Sequence, residues 1–177
     1  MRKQKGFSLI ELLIVVAIIL IIAAIAIPNL MRSKQAANQA AAAANTRTMI
    51  SSEHTYSITY FGAGGGFADN LVKLGPPPGG PCPATGGTSL NACLIDATLA
   101  CNAMPCVKDN YQYTITGIGA WPATTDYVTF GTATGANYGK QDFCSVSDGV
   151  VRFNIPAAAP PTAALTTTAA CQAYGPL

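Results

Sequence analysis

Between Leu9 and Ile27 only one side chain can carry charge, because every residue of that stretch is hydrophobic except Glu11. A carboxylate among lipid tails costs roughly 2.5 to 3.5 kcal/mol or more, so an acid kept there needs a counter-charge and marks a functional site. Before it stand Arg2, Lys3, Lys5, Gly6, Phe7 and Ser8. A second group with chemistry in it is Cys82, Cys93, Cys101, Cys106, Cys144 and Cys171. Such thiols pair as disulfides in an oxidising compartment or hold zinc in a reducing one. His54 is the sole histidine and follows Glu53. A lone histidine beside a carboxylate on a helix reads as a solvated surface pair rather than a general base.

These groups do not assemble into a recognisable catalyst. No nucleophile motif accompanies the serines and threonines, and Gly64, Gly65 and Gly66 lack the strand, helix and lysine of a phosphate loop. Cys101 and Cys106 have no partnering histidine pair for zinc. Asp69, Asp126, Asp142 and Asp148 are dispersed, so turn and cap duties suit them better than calcium. The sequence therefore predicts a protein that is not an enzyme, with no cofactor and no bound metal.

Basic residues, then Gly6, then Phe7, then Glu11 at the fifth place after the glycine, resemble the class III signal of type IV pilins and type II secretion pseudopilins. The resemblance implies a precursor cut after Gly6 by prepilin peptidase and methylated on the new amino terminus of Phe7. It implies an inner-membrane assembly platform and a homopolymer built through the N-terminal helix. Glu11 would pair with the charged terminus of Phe7 on a neighbouring copy, which offsets its burial and fixes register. The chain looks most like a type IV pilus subunit serving adhesion, twitching motility or DNA uptake. A pseudopilin that stays periplasmic is the alternative, disfavoured by the cysteine-rich loop and the lack of a calcium-like acidic cluster. Two other readings of the same residues remain. One is a secretory signal with its small-x-small site at Ala24, Ile25 and Ala26. The other is a plain membrane anchor carrying an exported binding domain, since about 20 apolar residues suffice to cross a bilayer.

The elements that must position these residues follow from the pattern along the chain. Residues 1–6 form the leader, 7–28 the transmembrane and polymerisation helix, and 29–59 its amphipathic half, with a kink expected at Pro28. In that half Ala36, Ala37, Ala40, Ala41 and Ala44 recur at helical spacing, while Met49, Ile50 and Tyr56 form an apolar side that could sit on a sheet. The aromatic residues Phe7, Tyr56, Tyr60 and Phe61 read as packing residues. Residues 60–110, rich in proline, glycine and cysteine, form a long loop with one short helix near Leu90 to Leu99. Residues 111–177 hold the sheet and a tail tied down by Cys171. Strands are expected at Tyr111 to Ile118, Tyr127 to Phe130, Phe143 to Val146 and Val150 to Ile155, the last two joined by a tight hairpin at Asp148 and Gly149. The predicted class is α+β, a pilin fold with a helix packed on an antiparallel sheet of about four strands.

Charge and cysteines agree on sidedness. Basic residues precede the span, so the leader points to the cytoplasm and the bulk of the chain outward. There the even number of cysteines is expected to form three disulfides. Their connectivity is not readable from sequence. The C-terminal disulfide loop of many pilins implies Cys144 with Cys171, and the other four would then close the central loop, for example as Cys82 with Cys93 and Cys101 with Cys106. The full chain has 10 basic and 8 acidic residues, and loss of Arg2, Lys3 and Lys5 leaves a net −1 from side chains. That excludes a broad basic face, so no direct nucleic-acid binding by the lone subunit is expected. The predicted location is the inner membrane as a single-pass protein, then a pilus on the cell surface or a periplasmic pseudopilus.

Overall fold

The computed structural model describes residues 7–62, 66–101 and 104–177. Helix α1, Leu9–Phe61, contains Pro28 within its length. The chain divides into two compact units, residues 1–34 and 35–177. In the first, the large apolar residues of α1 carry their side chains outward, from 44% exposed at Val16 to 75% at Leu9.

The second unit is organised by a stripe on α1. Ala42, Thr46, Met49, Glu53 and Tyr56 are all fully buried, and their steps of four and three place them on one side of a 3.6-residue helix. The predicted apolar side at Met49, Ile50 and Tyr56 is thus the core face. Ala36, Ala37, Ala40 and Ala44 are exposed and Ala41 half-buried, whereas Ala42 and Ala43 are the alanines that pack inward. Ala42 and Ala43 share one core cluster with Tyr111, Tyr113, Ile115 and Phe143 of the sheet.

That sheet has six strands, not about four, arranged as an antiparallel meander in chain order. They are β1 Cys106–Lys108, β2 Tyr111–Ile118, β3 Asp126–Ala133, β4 Asp142–Ser145, β5 Arg152–Asn154 and β6 Gly175–Pro176. The longest ladder runs from Tyr111 opposite Ala133 to Ile118 opposite Asp126. Alternation along β2 turns Tyr111, Tyr113 and Ile115 into the core. There the Asn45 amide on α1 donates to the Tyr113 hydroxyl at 3.0 Å. The two unanticipated strands lie at the sheet's edges and are only 3 and 2 residues long. Runs that short carry no period-2 signal.

Strands β3 and β4 are buried on both faces. Val128, Phe130, Cys144 and Val146 form a second core with Cys171, against which Leu165 and Tyr174 pack. The C-terminal tail is therefore the lid of the sheet's other side. It carries a short helix, α3, Thr168–Gln172, whose first turn is capped by the Thr167 hydroxyl accepting from the Ala170 amide. Further along, Thr162 donates to a buried Asp142 carboxylate oxygen at 2.6 Å and its amide donates to the Thr132 hydroxyl at 3.2 Å.

Two other local expectations are corrected. No helix forms between Leu90 and Leu99; the one in the central loop is α2, Leu71–Leu74, capped by Asn70. An isolated bridge joins Thr88 to Asn91, and the Asp96 carboxylate accepts from the Thr98 and Leu99 amides. That side chain gives the backbone an alternative to helix. The β4 to β5 connection is also wider than a two-residue hairpin, with Gly149 at φ 72° inside a turn closed by its own amide on the Val146 carbonyl.

Candidate functional site: the amino-terminal segment and its apolar helix

Gly6, together with Arg2, Lys3 and Lys5, lies outside the described residues. Phe7 is 83% exposed, and the Leu12 amide donates to the Ser8 carbonyl at 3.2 Å, so helical bonding begins at Ser8. Glu11 stands in the first turn of α1 with its side chain exposed. That first turn is the positive end of the helix dipole. None of the three ion pairs among the described residues involves Glu11. The carboxylate therefore has no cation in its own chain among those residues.

Beyond it, an 18-residue window of α1 reaches a mean hydropathy of 3.3, and none of that window is buried within the molecule. By length and composition the helix could cross a bilayer. So large a continuous apolar surface is unstable in water and calls for lipid or other chains against it. An exposed acid embedded in such a surface must enter the same apolar medium, and a positive partner then has to come from outside the chain's own helix.

Residues 1–27 match the family model described as the prokaryotic N-terminal methylation motif. The amino-terminal segment is similar to those of two type IV pilins. It is 47% identical over 58 residues to the type IV wide pilus major component of Thermus thermophilus, covering 33% of this chain and 44% of that protein. It is also 43% identical over 54 residues to the type IV major pilin protein of Myxococcus xanthus, covering 30% of this chain and 24% of that one. The chain thus aligns with less than half the length of these curated relatives. No solved structure matches it significantly.

The cysteines belong to the second unit, downstream of this matched segment. Cys82 bonds Cys93, Cys101 bonds Cys106 and Cys144 bonds Cys171. Pairing within the central loop closes it into two small rings. The third bond joins β4 to α3 inside the outer core. Among the described residues no group of three or more histidines, cysteines or acids is placed to hold a metal. Each of the four aspartates singled out above has a partner: Asp69 pairs with Lys73, Asp148 with Arg152, Asp126 accepts from the Ser147 amide and Asp142 from the Thr162 hydroxyl.

Glu53 and His54 are not a solvated surface pair. His54 is exposed, its ring 6.3 Å from that of Phe67, but Glu53 is wholly buried and accepts from the Ala68 amide at 2.9 Å. Burial pushes its carboxyl up to about 8, with the Ala68 hydrogen bond opposing and nearby Asp69 adding to the rise. The signal for this was in the sequence: Glu53 follows Met49 by four and precedes Tyr56 by three, on the apolar stripe.

Near the end of α1 an aromatic group fastens the loop. Tyr56 donates to the Ser89 carbonyl and accepts from the Trp121 indole at 3.3 Å, while Lys73 lies 3.8 Å above the Trp121 ring. Tyr56, Tyr60 and Phe61 thus serve as packing residues, whereas Phe7 packs on nothing among the described residues and is exposed.

Proposed function

We propose that the chain is a structural subunit of a type IV pilus, made as a precursor in the inner membrane and polymerised through the apolar half of α1. The observation that carries this is the amino-terminal segment, matched to the methylation motif and to two relatives named as major pilus components. Those names favour a pilus over a periplasmic pseudopilus and over an anchored binding domain. In this reading prepilin peptidase cuts between Gly6 and Phe7 and Phe7 is methylated.

Once assembled, residues Leu9 to Ile27 of neighbouring copies exchange lipid contacts for one another. Glu11 meets the charged amino terminus of Phe7 on another copy. A buried pair of this kind serves register more than stability, because each charge must first be stripped of water. The exported unit, closed by three disulfides, would form the filament's outer layer.

The test is immunogold electron microscopy with antibody against the loop at residues 76–91. Label along surface filaments is the expected result. Label confined to the cell envelope would reject the pilus and leave the pseudopilus or the anchored domain.

A further inference from the structure

Glu53 has no part in the assembly scheme above, yet it is one of the most completely buried groups in the molecule. Its Oε2 accepts from the Ala68 amide, while its Oε1 is buried with no hydrogen-bond partner among the described residues. No cation faces it. On α1 its neighbours are exposed His54 and the Tyr56 hydroxyl; on the loop it faces Asp69, and on β3 Tyr127, whose hydroxyl is also buried and unpartnered. Tyr127 in turn senses Asp126 and Asp148. Lys73, the base of that loop, is committed to Asp69 at 2.7 Å. An ionised Glu53 would thus be a buried charge among acids, which no arrangement of these neighbours compensates.

The segment it holds, residues 66–69, lies outside helix and strand. Gly62 and Gly66 lie at φ 75° and 68°, in the region that favours glycine. A Cβ on Gly66 would sit 2.4 Å from the Phe61 ring, so no larger residue fits there. Gly66 donates to the Thr124 carbonyl at 3.2 Å, Thr124 donates to the Phe67 carbonyl, and Gly117 donates to the Asp69 carbonyl at 3.3 Å. Those bonds tie the segment to the sheet. Glu53 is its hydrogen-bonded tie to the helix among the described residues.

We propose that Glu53 is a proton-operated latch: protonated, it holds Ala68 and its neighbours against α1, and on ionisation it lets that segment lift so the carboxylate can reach water. The sign follows from the upward displacement of this acid. The closed form binds the proton more tightly than an open, hydrated glutamate does, so closure is strongest in acid and is lost as pH rises through about 8. The device is a property of the exported unit and stands whether or not the chain forms filaments.

The experiment is amide hydrogen exchange on the full chain in detergent micelles, corrected for intrinsic rates, from about pH 6 to about pH 9.5. The opening constant at Ala68 should rise by up to about tenfold per pH unit to about pH 8 and then level off. In Glu53→Gln, which keeps an acceptor for Ala68 and cannot ionise, that rise should be absent. A flat profile in the unmodified chain, or a rise that survives in Glu53→Gln, overturns the proposal. Should that variant fail to fold, infrared spectroscopy of the unmodified chain decides. A protonated carboxyl band persisting above about pH 6 and retained in Asp142→Asn supports the latch, and its absence rejects it.

Discussion

Removing the disulfide between Cys144 and Cys171 should cost more stability than removing either of the others. The three bonds span sequence separations of 27, 11 and 5 residues. In the chain-entropy account, closing such loops in the unfolded state is worth about 3.5, about 2.8 and about 2.1 kcal/mol respectively. The longest loop also fastens the tail over Val128, Phe130 and Val146, and both its cysteines are fully buried, so packing loss adds to the entropic term. Cys82 by contrast is exposed. The assay is urea unfolding of each paired Cys→Ala variant in micelles, followed by the fluorescence of Trp121, the sole tryptophan. Hydrogen exchange over residues 156–172 would run alongside it. Expected is the order Cys144/Cys171, then Cys82/Cys93, then Cys101/Cys106, with the tail losing protection only in the first. Equal losses for all three pairs, or a tail still protected without its bond, would refute the reasoning.

Other outcomes follow from single contacts. Glu11→Ala should leave cleavage intact and stop or cripple filament formation, read by electron microscopy of cells whose mature protein is confirmed by blotting; normal filaments would remove its assigned role. Gly139→Ala should destabilise by about 1 to 3 kcal/mol in urea unfolding, because the new Cβ would lie 2.1 Å from the Tyr111 hydroxyl, which donates to the Gln141 carbonyl at 3.0 Å. Thr162→Val should loosen the tail and push Asp142, already raised by burial against the Thr162 and Thr132 hydrogen bonds, further up. A raised acid contributes most at low pH, so the variant's deficit should widen as pH rises through the Asp142 titration; a deficit independent of pH would contradict this.

The class of fold was legible because its signals are long. The apolar run to Ile27 and the alternation from Tyr111 to Ile118 extend over enough residues for periodicity to separate helix from strand. What was missed is short or depends on distant partners. Strands β1 and β6 exist because β2 and β5 offer them open edges, and α3 because Cys171 is bonded to a strand 27 residues earlier. Glu53 was misplaced because a carboxylate next to the lone histidine drew attention to its neighbour rather than to the stripe it shares with Met49 and Tyr56. At the amino terminus the reverse holds. Glu11 is conspicuous in sequence because it interrupts an apolar run, whereas in the isolated chain it is one exposed acid on an exposed helix. Its partner, on this account, belongs to another copy.

The most direct measurement of the central claim is mass spectrometry of the amino-terminal peptide of the mature protein from cells. The account predicts a chain beginning at Phe7 with one methyl group on its amine. A chain beginning at Ile27, or one that retains Met1 through Gly6, would contradict it.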